Sequence, residues 1–253
     1  MYFDTHAHID DEKYDGGQEQ VVREALDAGV TMMMNVGSDL ASSARSVALA
    51  EKYDCVWAAV GIHPSETTGL TDADYEELIR LAGHEKVRAI GEIGLDYHYE
   101  DTDKAAQFPA FHRQLEIAQA LGLPVIVHNR EATADTVAIL QEHPQVRGIV
   151  HSYSGSAETA KILLKMGYYL SFNGICTFKN AERTREVLMT VPRDRLLIET
   201  DCPYLSPEPF RGTRNCPAKV VYVAQRIAEL WGVSPEEVAR QTTENGKAIY
   251  GIK

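Results

Sequence analysis

The sequence predicts an α/β chain folded as a (β/α)8 barrel, a single domain spanning residues 1–253 with one extra helix at its C-terminus. Three observations carry that prediction. Short apolar runs alternate with amphipathic stretches about eight times, with no linker or break in composition. The runs are continuously apolar rather than alternating, as strands of a parallel sheet covered on both faces are. No glycine-rich fingerprint follows the first run, which argues against the competing doubly wound open sheet.

The elements follow in order. Tyr2 and Phe3 open the first strand. Val21, Val22, Ala25 and Leu26 recur at helical spacing and Gly29 closes that helix. Val30 to Val36 is a methionine-rich strand whose methionines fill core. Gly37-Ser38-Asp39 leads into a helix ending near Tyr53, and Cys55 to Val60 is the third strand. A helix from Asp72 to Ala82 precedes a strand over Val87 to Ile90. Gln107 to Leu121 is helical, and Pro124 to Val127 is an apolar strand. Ala132 to Glu142, Ala157 to Met166 and Ala181 to Thr190 are helices. Between and after them lie strands at Gly148 to Val150, Tyr168 to Phe172 and Leu196 to Ile198. Pro217 to Trp231 is a long helix stopped by Gly232, and Ser234-Pro235-Glu236-Glu237 opens the last one with a capping box.

The residues at the strand ends suggest chemistry. His6 and His8 are two apart, so on a strand both point to one side. Later strands end at His63, Glu92, His128, His151 and Asp201. In a barrel the carboxyl ends of the strands form one ring where active sites are built. A buried histidine often only meets a backbone carbonyl, and a strand-end aspartate often caps the next helix. That so many ligand types fall on strand ends favours a metal site. Nitrogen and carboxylate oxygen donors without thiolate suit zinc, manganese, iron or magnesium. The set exceeds what one tetrahedral ion uses, so two divalent ions are expected. Arg130, Lys179, Arg211 and Arg214 fall in loops beyond strand ends, where they could meet phosphate or only solvent. His84, His112 and His143 lie on or beside helices and read as solvated surface groups.

Composition bounds the rest. A net charge of -12 argues against a broad electrostatic grip on nucleic acid, but not against a narrow site where ions supply positive charge. No apolar run approaches a membrane span and nothing resembles a secretory signal. Cys55, Cys176, Cys202 and Cys216 form no paired framework and read as reduced thiols of a cytoplasmic protein.

Several stretches are similar to the TatD-related metal-dependent deoxyribonucleases, within the amidohydrolase-like barrels. They are Asp4-Thr5-His6-Ala7-His8, Gly61-Ile62-His63-Pro64, Gly91-Glu92-Ile93-Gly94-Leu95-Asp96-Tyr97 and His128-Asn129-Arg130-Glu131-Ala132. His151-Ser152-Tyr153-Ser154-Gly155, Glu199 to Leu205 and Arg211-Gly212-Thr213-Arg214-Asn215 continue the series along nearly the whole chain. The resemblance implies one metal held by His6, His8, Glu92 and Asp201, and a second held by Glu92, His128 and His151. Zinc, magnesium and manganese all remain open as the ion. The resemblance supplies DNA as the substrate, and the reading is a 3′-5′ exonuclease hydrolysing phosphodiester bonds; the charge of -12 and a site at a barrel mouth favour single-stranded or frayed ends, and a monomer is expected. Asp201 is the expected base, with His63 and Arg130 holding the phosphate. Two departures stand near the site: Ser152-Tyr153 replaces the family's usual Cys-Phe, and Cys202 its usual alanine. Hydrolysis of small esters, amides or lactones is the alternative, with aminoacyl-tRNA deacylation as a variant of it. A non-catalytic partner protein on a vestigial barrel is a different class, disfavoured because every ligand is present.

Overall fold

The computed structural model describes residues 1–99 and 102–253. Its strands are β1 (Tyr2–Ala7), β2 (Val30–Val36), β3 (Val56–Val60), β4 (Val87–Asp96), β5 (Val125–Arg130), β6 (Gly148–Val150), β7 (Tyr169–Phe172) and β8 (Leu196–Ile198). The helices are α1 (Gln18–Asp27), α2 (Leu40–Lys52), α3 (Asp72–Ala82), α4 (Lys104–Leu121), α5 (Thr133–Glu142), α6 (Ala157–Lys165), α7 (Glu182–Thr190), α8 (Val220–Trp231) and α9 (Pro235–Tyr250). The strands form one sheet in sequence order. This is the expected (β/α)8 barrel fold, with α9 as the extra helix. No helix among the described residues is long and apolar enough to cross a membrane.

The chain divides into two compact units. The first comprises Met1–Asn35, Ser152–Ala160 and Tyr169–Lys253. Here β1 pairs in parallel with β2, and β7 with β8. Every residue of β1 from Phe3 to Ala7 is buried, so the strand that carries His6 is a core strand. Helix α9 lies close against it. A Cβ added at Gly246 would meet the Phe3 ring at 2.6 Å, so the helix needs glycine there. The Tyr250 hydroxyl donates to the Thr5 carbonyl at 2.9 Å.

The second unit, Val36–His151 with Lys161–Tyr168, contains a parallel run in which β3 pairs β4, β4 pairs β5 and β5 pairs β6. Asp39 caps α2 by accepting from the Ser42 amide at 2.6 Å while the Ser42 hydroxyl accepts from the Asp39 amide at 2.9 Å. Asp103 caps α4, accepting from the Ala105 and Ala106 amides, and starts that helix at Lys104 rather than at the predicted Gln107.

Three further boundaries differ from expectation. Strand β4 continues through Asp96 instead of stopping at Ile90, with an irregularity in its pairing to β5 between Ile90 and Ile93. Strand β5 extends to Arg130, which therefore sits on the strand and not in a loop. Pro217–Lys219 forms a separate 3-10 turn before α8, because proline starts a turn but donates no backbone hydrogen bond.

Candidate metal centre

In the first unit, the carboxyl end of β1 places His6 within the core and His8 just beyond the strand. Their Nε2 atoms are 3.2 Å apart. Asp201 Oδ1 is 3.9 Å from His6 Nε2 and 3.6 Å from His8 Nε2. Two nitrogens bound tetrahedrally at about 2.0–2.1 Å from one zinc ion stand roughly 3.3 Å apart, so this spacing suits a shared ion.

Asp201 lies three residues past β8 and has a positive φ of 54°, a conformation that aspartate tolerates better than most residues. Its amide donates to the His6 carbonyl at 3.0 Å, which ties it to β1. The neighbouring Thr200 is held by Asp4, which is fully buried and accepts from the Thr200 amide at 2.8 Å and the Thr200 hydroxyl at 2.6 Å. Burial pushes the Asp4 carboxyl up to about 8 against those hydrogen bonds. Asn215 donates to the carbonyls of Thr200 and Tyr204, at 2.9 and 2.6 Å, and steadies the loop from the other side. Asp4 and Asn215 therefore position Asp201. Neither stood out as functional in the sequence, because each looked like ordinary strand or loop polarity.

The second unit gathers His63, Glu92, Asp96, His128 and His151. Glu92 Oε1 is 2.7 Å from His128 Nδ1, 2.7 Å from His151 Nε2 and 3.8 Å from His63 Nε2. His63, Glu92 and His128 each bring a donor atom within 4.8 Å of the others, so this group could hold a metal. Burial lowers the His63 imidazole to about 4, which keeps it neutral and able to ligate or to donate one hydrogen bond. The predicted phosphate-holding His63 thus stands among the ligand candidates, its ring 4.4 Å from that of His128. Arg130, the other predicted phosphate group, is exposed and two residues beyond His128.

Asp96 is the residue this cluster adds to the predicted set. Its Oδ2 is 2.9 Å from His128 Nε2 and its Oδ1 accepts from the His98 amide at 2.8 Å. A carboxylate on the far nitrogen fixes a ligand histidine's orientation and tautomer. Both nitrogens of His128 face carboxylates. Burial lowers its pKa, but the hydrogen bonds to Asp96 and Glu92 outweigh this and raise it above its ordinary 6.5. An ion bound there would displace that proton, so affinity should rise with pH until His128 is deprotonated, which its raised pKa places higher than for an ordinary histidine. Asp96→Asn should weaken divalent-ion binding by about 10- to 100-fold. It should also move the pH dependence downward, because the group raising the His128 pKa is gone. Calorimetric titration in buffers of different ionisation enthalpy measures both effects; unchanged affinity would remove Asp96 from the site.

The departures and the remaining predicted groups have structural explanations. The Ser152 amide donates to Glu199 at 2.7 Å, its hydroxyl accepts from Asn173 at 2.8 Å, and the buried Tyr153 donates to the Ser156 carbonyl at 2.7 Å. Cys202 is fully buried, and burial raises its thiol far above the range where a thiolate ligand forms. Arg211 lies over the Phe178 ring, and Arg214 donates to the Lys13 carbonyl at 2.6 Å. His112 and His143 are not simple solvated groups: α4 and α5 bring their ring nitrogens within 2.9 Å, and both are half-buried.

A family profile described as TatD related DNase matches residues 3–251. The chain belongs to the TatD family. It is 47% identical over 254 residues to the Uncharacterized metal-dependent hydrolase YabD of Bacillus subtilis, covering all of both chains. It is 32% identical over 257 residues to the 3'-5' ssDNA/RNA exonuclease TatD of Citrobacter koseri, covering 99% of each. The crystal structure of the TatD homologue YjjV from Escherichia coli K12 matches at TM-score 0.93 with 31% identity, over 100% of this chain and 98% of that one. An organophosphorus hydrolase from Deinococcus radiodurans, at TM-score 0.65 and 18% identity, shares the fold alone. This TatD family member is a metal-dependent hydrolase.

Proposed function

We propose that the protein is a divalent-metal-dependent deoxyribonuclease that trims single-stranded or frayed DNA from 3′ ends, working in the cytoplasm as a monomer. The observation that carries this reading is the presence, in a TatD family chain, of two clusters of imidazole and carboxylate donors at strand ends. The named exonuclease activity of the Citrobacter koseri relative supports DNA as the substrate. We assign His6, His8, Glu92, His128, His151 and Asp201 as ligands of two ions, with zinc, magnesium and manganese all compatible with the donor chemistry. When bound, such ions supply Lewis acidity toward a phosphoryl oxygen and a water acidic enough to react near neutral pH.

The chain's own groups do the remaining work. Asp201 accepts the proton of the attacking water and later delivers it to the leaving oxygen. The neutral His63 donates a hydrogen bond to a phosphate oxygen, and the guanidinium of Arg130 pairs with the phosphate. Asp96 and Asp4 orient His128 and the Asp201 loop, so that these groups do not need to reorganise during reaction.

A substrate panel tests the reading. The ion-loaded protein should hydrolyse a single-stranded oligonucleotide with a kcat/KM at least about a hundredfold above that for lactones, p-nitrophenyl esters or aminoacyl-tRNA, since a site matched to phosphoryl transfer gains little on carbonyl carbon. Rapid lactone or ester turnover with intact DNA would assign the same clusters to carbonyl chemistry.

A further inference from the structure

The segment after β4 carries an arrangement that metal chemistry does not use. Tyr99, three residues beyond Asp96, is 49% exposed. Among the described residues only one other Phe, Tyr or Trp is exposed, Tyr204 at 46%, three residues beyond Asp201. Each therefore follows an acidic residue of a cluster by the same interval, and each has a cation against its ring. The Arg130 guanidinium lies 5.2 Å from the Tyr99 centroid, and its Nη1 donates to the Tyr99 hydroxyl at 3.3 Å. Lys13 Nζ lies 3.9 Å from the Tyr204 centroid.

Tyr99 is the more fully built of the two. His98 packs edge-on against its ring at 5.1 Å and is itself anchored by its Nδ1 to Glu131 at 2.7 Å. Arg130 pairs in register with Asp96 across β4 and β5, which puts the cation beside the strand end that carries His128. Apart from Tyr204, the other Phe, Tyr and Trp residues are buried, as Phe3, Phe111, Tyr168 and Phe172 are, or half-buried. An open ring backed by a guanidinium, beside a ligand-bearing strand end, supplies what a single-stranded nucleic acid needs from a protein: a face for the base and a cation for its phosphate.

We propose that Tyr99 is a stacking platform for the nucleobase next to the scissile phosphate, with Arg130 bridging the ring and that phosphate. This rests on the nucleic-acid reading above and makes it more specific. Because every base has a π-face, the subsite favours base-bearing ends over base-free ones with little preference among sequences. It offers nothing to a lactone or a simple ester.

The test uses two single-stranded oligonucleotides of one sequence, one with an ordinary 3′-terminal nucleotide and one with an abasic residue there. With the ion-loaded wild type, kcat/KM should favour the ordinary end by about 5- to 150-fold, the range that stacking of one base on an aromatic ring supports. Tyr99→Ala should bring that ratio close to one, while Tyr99→Phe and Tyr99→Trp keep it. A second readout avoids turnover: fluorescence anisotropy of a labelled short oligothymidylate on the metal-free protein should show affinity lost in Tyr99→Ala and kept in Tyr99→Phe. Circular dichroism of each variant guards against misfolding. A Tyr99→Ala ratio equal to wild type, or a wild type that cleaves both oligonucleotides equally, would overturn the stacking subsite and leave the nuclease reading standing. A wild type that cleaves neither oligonucleotide would overturn both.

Discussion

Stripping the protein of divalent ions should abolish hydrolysis and leave its helical circular dichroism nearly unchanged. The strands carry a largely buried apolar core: Met33, Met34, Ile90, Ile93, Leu95 and Ile198 have no exposed surface. A core of this extent in a 253-residue chain does not depend on an ion to form. The second cluster also has partners without one, since His128 already sits between Asp96 and Glu92. Ions should nonetheless raise the melting temperature, because whatever binds only the folded state stabilises it. At a concentration a hundred times Kd the gain is about 2.7 kcal/mol. Readdition of manganese, magnesium or zinc should restore turnover, and the ion that restores it at the lowest concentration identifies the preferred metal. Full activity in metal-free protein would contradict the assignment of both clusters.

Asp201→Asn should lower kcat by about a hundredfold or more, the usual worth of a positioned general base, with a smaller effect on KM. Asparagine keeps the size, an oxygen donor and tolerance of the positive φ of 54° at this position, so the loop held by Asp4 and Asn215 should survive the change. What is lost is the negative charge and the capacity to take a proton. Asp201→Ala would test less cleanly, because it also removes the oxygen 3.6 Å from His8. Near-normal turnover in Asp201→Asn with bound metal would place the base elsewhere.

Much of this site was legible because strand periodicity is simple. A two-residue interval puts His6 and His8 on one side, and Val125 to Val127 is an unbroken apolar run that ends at His128. The region around Glu92 was harder to read. Gly91 and Gly94 look like a strand's end, so the sequence stops β4 at Ile90, yet the strand runs to Asp96. Close approach explains the glycines: at Gly94, with φ of 144°, a Cβ would collide with the His128 carbonyl oxygen. The same close packing brings Asp96 to His128, so the reason for the glycine and the role of Asp96 become visible together only in three dimensions. Contacts between distant segments, such as Asp4 with Thr200 or His112 with His143, leave no local pattern in the chain at all.

If the protein acts on free DNA ends with few phosphate contacts, as proposed above, end-labelled digestion will show it. Its net charge is -12, and Arg211 and Arg214 are engaged with Phe178 and Lys13, so the protein should neutralise only a few phosphates at once. Single-stranded, blunt duplex and closed circular single-stranded DNA are digested by the ion-loaded protein across a salt series, with and without a 3′ block. Stepwise shortening from open 3′ ends is expected, fastest on single strands and arrested by the 3′ block. Log affinity should also fall against log salt with a slope of only about two or three. Cutting of closed circles as fast as of open strands, or a steep salt dependence typical of many phosphate contacts, would contradict the proposal.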